Sequence, residues 1–146
     1  MSRDRLHKGL YQGSRPPPGD SLRQDGFGLL VLCAMEHQPP ASNFPGVTVI
    51  HAPNDDDFSR LPTRDELRLA IQAARQAVPV LAGGGKVLST CYMGLNRSGL
   101  VSALTLHLWL GMSGDEAIQM VRRGRKGSMR NPGFQTVLSR LSRSGA

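Results

Sequence analysis

From Ser98 to Leu110 the chain is apolar on nearly every side of a helix, and such a helix has no face to give to water. It must sit in the middle of a fold. It is too short to span a bilayer, and Ser102, Thr105 and His107 interrupt it. Just upstream, after the turn Gly83-Gly84-Gly85, Val87 to Thr90 reads as a short buried strand. A strand, a loop and a buried helix in succession demand a sheet beneath that helix and other elements over it.

The rest of the chain supplies them. Phe27 to Cys33 is a continuous apolar run after Gly26, hence a buried strand, and the β-branched stretch Val47 to His51 is another. Asn54-Asp55-Asp56-Asp57 breaks that pattern and opens a loop. Thr63 and Glu66 have the spacing of a capping box, and apolar residues at helical spacing behind them predict an amphipathic helix over Arg64 to Val78. Ser113 and Glu116 form a second box, opening a helix to about Arg123. Asn131-Pro132 supplies an N-cap and an N1 proline for a last helix ending near Leu141. Strands alternating with helices predict an α/β fold, with a central, mostly parallel twisted sheet of four to five strands and helices on both faces. A length of 146 residues suits one domain over residues 1–146.

A net charge of +7 favours anionic partners: phosphoproteins, phospholipid head groups or nucleic acid. Cys33 and Cys91 are the only cysteines, so no disulfide framework exists and a reducing compartment is expected. The charged N-terminus has no apolar signal segment, which places the protein in the cytoplasm. His7, His37, His51 and His107 share no metal-ligand spacing, so no metal or other cofactor is expected.

The chemistry lies in Thr90-Cys91-Tyr92-Met93-Gly94-Leu95-Asn96-Arg97-Ser98-Gly99. A strand-to-helix loop turns successive backbone N–H groups inward, and the helix N-terminus adds positive potential, so Tyr92 to Arg97 can cradle a phosphate. The same dipoles favour a thiolate at Cys91, the candidate nucleophile. Gly94 allows a backbone angle that a β-carbon would obstruct. Arg97 offers a planar fork for two phosphate oxygens, and Ser98 could hydrogen-bond the Cys91 sulfur as it departs.

This segment resembles the signature loop of the dual-specificity branch of the cysteine-dependent protein tyrosine phosphatases. Leu10-Tyr11-Gln12-Gly13-Ser14 resembles the family's opening strand, and Asn131-Pro132-Gly133-Phe134 its motif at the last helix. The resemblance implies hydrolysis of phosphomonoesters, phosphotyrosine and also phosphoserine or phosphothreonine, through a cysteinyl-phosphate. It implies a phosphorylated protein as substrate and a comparatively shallow pocket. It also places a proton-donating carboxyl on the loop opened by Asn54: Asp55, Asp56 and Asp57 are the candidates, Asp55 the best placed, while Asp56 and Asp57 read more readily as part of a solvated turn. Glu36, past a strand end, could orient Arg97. The family usually has His where this chain has Thr90; Thr can hydrogen-bond within the loop without the same tuning of the thiolate.

Gly94-Leu95-Asn96-Arg97-Ser98-Gly99 also resembles the loop of the RNA 5′-triphosphatases of the same superfamily, the one reading that brings in nucleic acid. A non-catalytic phosphate-binding module is the third reading. Tyr92 either stacks on a substrate or covers the loop. The basic run Arg122, Arg123, Arg125, Lys126 and Arg130 reads as a solvated face or a docking surface. Gly83-Gly84-Gly85-Lys86 lacks the first glycine and the Ser or Thr of a nucleotide-binding loop. Cys33 ends a strand that could neighbour the catalytic one, which leaves a Cys33–Cys91 disulfide open. Oligomeric state is not readable from the sequence.

Overall fold

The computed structural model describes residues 1–143. Five strands form one sheet in the order β1-β2-β5-β3-β4. They are β1 (Arg3–His7), β2 (Leu10–Gly13), β3 (Phe27–Ala34), β4 (Thr48–Asn54) and β5 (Lys86–Thr90). All neighbours pair in parallel except the β1–β2 hairpin. The helices are α1 (Ser21–Gln24), α2 (Arg64–Ala82), α3 (Arg97–Leu110), α4 (Gly114–Gly124) and α5 (Pro132–Ser139). The expected α/β sheet with helices on both faces is therefore present.

The two faces are covered unequally. From Leu29 on, alternate residues of β3 divide between them: Leu29, Val31 and Cys33 join the larger core, whereas Leu30 and Leu32 join the smaller; Phe27 joins the smaller too, because the strand's register shifts between Phe27 and Leu29. Over the larger core lie α2 to α5. Alanines 70, 73, 74 and 77 let α2 approach closely, and α3 is buried continuously from Ser98 to Leu106. The smaller core is closed by Leu22 of α1 and by Phe44 and Val47 of the loop that leads into β4, with Arg3 and Lys86 over the Phe27 ring.

Both capping boxes form as expected, and Asn131 caps α5 by accepting from the Gly133 and Phe134 amides. Two boundaries move. α2 continues past Val78 through Pro79, because that proline and Arg75 lie on the exposed face, where water can serve the carbonyl left without a donor, and Leu81 draws the last turn into the core. β4 runs on to Asn54 despite Pro53, which an edge strand tolerates. That extension carries the chain directly from the sheet into the acidic loop. β5 is the middle strand, so its carboxyl end delivers Cys91 to the centre of the sheet's rim.

Candidate active site

Residues 91–96 link β5 to α3 and bend around the Cys91 sulfur. The Gly94 amide donates to Sγ at 3.2 Å, and the Ser98 hydroxyl lies 3.3 Å from it. Gly94 has φ +75°, and a β-carbon there would stand 2.6 Å from the Ser14 nitrogen and strike the Gly13 carbonyl. Only glycine fits where the loop crosses the end of β2. Behind the loop the carbonyls of Met93, Gly94 and Leu95 are taken. Met93 and Gly94 accept from Arg125, Gly94 also accepts from Gln12 Nε2 at 2.9 Å, and Leu95 accepts from the Met129 amide. With the carbonyls turned outward, the amides of Tyr92, Met93, Leu95 and Asn96 have no protein acceptor among the described residues. Loop amides without a protein acceptor beside a sulfur are the kind of arrangement that can receive an anion.

Arg97, the first residue of α3, sends its guanidinium beneath Glu36. Nη1 donates to Glu36 Oε2 at 2.6 Å and Nη2 to Oε1 at 2.7 Å. Nη1 also points to the Asn54 carbonyl at 3.4 Å. The bidentate bond to Arg97 pulls the Glu36 carboxyl down to about 2, and Glu36 in return raises the guanidinium.

The three aspartates of the acidic loop lie in different surroundings. Asp55 is half exposed, and among the described residues its carboxylate is approached by Arg60 alone, at 3.6 Å. Asp56, expected in a solvated turn, is instead clamped: it accepts from Asn96 Nδ2 at 3.0 Å and from Asn131 Nδ2 at 2.8 Å. This ties the acidic loop to the phosphate loop and to α5. Asp57 accepts from the Ser59 hydroxyl and amide, which lower its pKa. The loop is held from below by Glu66, which accepts from the Asp55 amide and from Arg60. Burial raises the Glu66 carboxyl, but Arg60 and the Thr63 and Asp55 amides together bring it to about 2.

Two further expectations need correction. Arg125 belongs to no solvated face; it is buried under the phosphate loop, paired with Asp4. Thr90 bonds not within the loop but across the sheet, donating to the Val31 carbonyl at 3.0 Å. It lines a narrow crevice together with Cys33, His37, Arg15 and Cys91. Among the described residues no group of His, Cys, Asp and Glu could hold a metal ion, and no helix is long and apolar enough to cross a membrane.

Human dual specificity phosphatase 28 is 28% identical over 136 residues, covering 93% of this chain and 75% of its own. The crystal structure of human DUSP28 superposes with a TM-score of 0.78 at 28% identity, over 94% of this chain and 93% of that one. The chain belongs to the cysteine-dependent protein tyrosine phosphatase superfamily. A second superfamily relative, dual specificity protein phosphatase 1B of Arabidopsis thaliana, is 27% identical over 141 residues, 95% of this chain and 81% of its own. No family model matches the chain. Its activity is that of this superfamily, phosphomonoester hydrolysis through a cysteine. The relatives lend no support to the RNA 5′-triphosphatase reading.

Sequence reasoning missed Arg125, Gln12 and the Asp56 clamp. Nothing in a basic run marks one arginine as buried. Gln12 sat inside the strand resemblance, and its inward direction was readable from the alternation of β2, in which Leu10 and Gln12 share a face.

Proposed function

We propose that Cys91, Arg97, Ser98 and Asp55 hydrolyse the phosphomonoester, with phosphotyrosine in a protein as the principal substrate. The observation that carries this is the Cys91 sulfur bonded by the Gly94 amide, in a loop whose other amides have no protein acceptor among the described residues. The Cys91 thiolate attacks phosphorus; the S–P bond forms as the ester P–O bond breaks. The departing oxygen takes the proton of the Asp55 carboxyl. Water then attacks the cysteinyl-phosphate, giving its proton to Asp55, and inorganic phosphate leaves as the Ser98 hydroxyl hydrogen-bonds the returning sulfur. The amides of residues 92–96 and the Nε–Nη2 edge of Arg97, left free by Glu36, bind the three equatorial oxygens throughout.

Asp55 is favoured as the acid because its carboxylate accepts no hydrogen bond among the described residues, whereas Asp56 and Asp57 are both engaged. Tyr92 and Met93 stand exposed on the rim, which supports a mouth shallow enough for phosphoserine and phosphothreonine too. We place this activity in a single catalytic domain and in a reducing compartment such as the cytoplasm, where Cys91 stays reduced. Turnover of matched phosphotyrosine, phosphoserine and phosphothreonine peptides tests the reading. Phosphotyrosine should be hydrolysed fastest; turnover of none of the three overturns the substrate assignment.

A further inference from the structure

Arg125 follows α4 and buries its guanidinium against the outer side of the phosphate loop, with 8% of the residue exposed. Nε donates to the Gly94 carbonyl at 2.8 Å, and Nη2 to the Met93 carbonyl at 3.0 Å. Its other donors are held by the N-terminal segment: Nη1 by Asp4 Oδ2 at 3.0 Å and Nη2 by the Ser2 hydroxyl at 2.9 Å. The Met93 carbonyl and the Gly94 amide are the two ends of one peptide group, and that amide donates to Cys91 Sγ. A cation, a peptide and a sulfur therefore form one hydrogen-bonded line.

We propose that Arg125 is a positioning residue for the phosphatase reaction, aiming the Gly94 amide at the Cys91 sulfur and strengthening it as a donor. The proposal rests on the reading of Cys91 as nucleophile. Hydrogen bonds in series polarise one another, most in a low-dielectric interior, and a charged donor makes the strongest first link. A guanidinium on the carbonyl side draws electron density from the peptide, so its N–H becomes a better donor to a thiolate. The fork also fixes direction, because two successive carbonyls bound to one planar group must both face outward, which turns the Gly94 and Leu95 amides inward. Gln12 cannot replace it: its amide reaches the Gly94 and Leu95 carbonyls, while Met93 has Arg125 as its only partner among the described residues.

The other charged or titratable groups around Cys91 are Arg97 from α3, Cys33 from β3, and Arg15 and His37, which line the narrow crevice with it. None of them bonds to Arg125, so replacing Arg125 leaves their contacts in place.

The test compares the wild-type chain with Arg125→Lys and Arg125→Met. Two quantities are read: kcat and KM on an aryl phosphate, and the rate at which iodoacetamide alkylates Cys91 as pH is raised from mildly acidic. An ammonium keeps the charge but cannot span both carbonyls. For Arg125→Lys we expect kcat and the acidic-pH alkylation rate each to fall about tenfold, less than the loss of a donor that touches the oxyanion itself. KM should change little, and the alkylation deficit should close at alkaline pH, where the thiol ionises without help. Arg125→Met should lose more; if it does not fold, Arg125→Lys decides alone. Wild-type kcat and alkylation in folded Arg125→Lys overturn the proposal, as does a deficit equal at every pH, which is the mark of a loosened loop. A wild-type chain that hydrolyses no phosphomonoester overturns the phosphatase reading instead.

Discussion

Glu36 meets Arg97 end-on, with both carboxylate oxygens on the two terminal nitrogens of the guanidinium. The Arg97 side chain is only 11% exposed and that of Glu36 49%, so the pair has one dry end and one wet end. The contact fixes the plane of the guanidinium and spends the one edge that faces away from the sulfur. A free arginine would have to be ordered by the substrate; this one is ordered beforehand.

Glu36→Ala should therefore slow catalysis without removing any group that touches phosphate. We expect kcat/KM to fall about tenfold, in keeping with the loss of one charge-assisted bidentate contact. The pH dependence follows from the direction of the shift. A carboxyl lowered from 4.5 to about 2 by Arg97 is ionised throughout the neutral and mildly acidic range. What the pair adds to stability is present above about 4.5 and fades as pH falls toward about 2. Hence the pH–rate profile of Glu36→Ala should keep the wild-type shape at lower height. A new limb near neutral pH would mean that Glu36 itself titrates in turnover.

At the nucleophile, Cys91→Ser should abolish turnover yet still bind vanadate or phosphate, because most of the cradle is backbone. Arg97→Lys should be severely impaired, since an ammonium cannot face Glu36 and two phosphate oxygens at once. Steady-state rates beside calorimetric vanadate binding check both. A Cys91→Ser enzyme working near the wild-type rate would falsify the assignment.

The two thiols should differ sharply in reactivity. Complete burial pushes the Cys33 thiol well above its usual range, and the neighbouring Cys91 charge pushes it further. Cys33 thus stays protonated, a poor nucleophile toward alkylating agents and toward an oxidised Cys91. We expect iodoacetate or mild peroxide to modify Cys91 first, bound phosphate to protect it, and peroxide to yield sulfenic then sulfinic acid. Mass spectrometry reads the products directly; a Cys33–Cys91 disulfide as the main species would show that Cys33 is reachable as a thiolate after all.

How far the sequence could be read depended on whether an interaction was local. Periodicity and caps placed β3, β5 and the four long helices, because apolar spacing and a capping box lie within a few residues of what they specify. β1 was not legible: Arg3-Asp4-Arg5 is too charged to read as a strand, and it pairs only as the outer arm of a hairpin. At the site, the order of Cys91, Gly94, Arg97 and Ser98 pointed to one loop, since all four fall within a strand–loop–helix unit. The partners that brace this loop come from far along the chain: Arg125 from beyond α4, Gln12 from β2, and Asn131 through Asp56. In sequence Arg125 is one of a basic run and Asn131 a helix cap, and although the alternation of β2 turns Gln12 inward, only the packed sheet shows that all three meet this loop. Glu36 was the one distant partner anticipated.

The proton donor gives the last test, and the structure sharpens it. A general acid matters in proportion to how poor the leaving group is, because an acidic phenol can depart as its anion. Asp55→Ala should lose on the order of a hundredfold on phosphotyrosine or an alkyl phosphate, the low end for general acid catalysis, and far less on an aryl phosphate with an acidic phenol. Asp57→Ala should stay within a few-fold of wild type, since its carboxylate bonds only within its own turn and to Arg60. Asp56→Ala should behave differently from both. Without it the Asn96 and Asn131 amides lose the acceptor that joins three loops. We expect a lower Tm and a loss of rate that is the same for good and poor leaving groups, because a loosened cradle slows every substrate alike. If Asp56→Ala instead shows the leaving-group dependence and Asp55→Ala does not, the clamp opens during turnover and Asp56 is the acid.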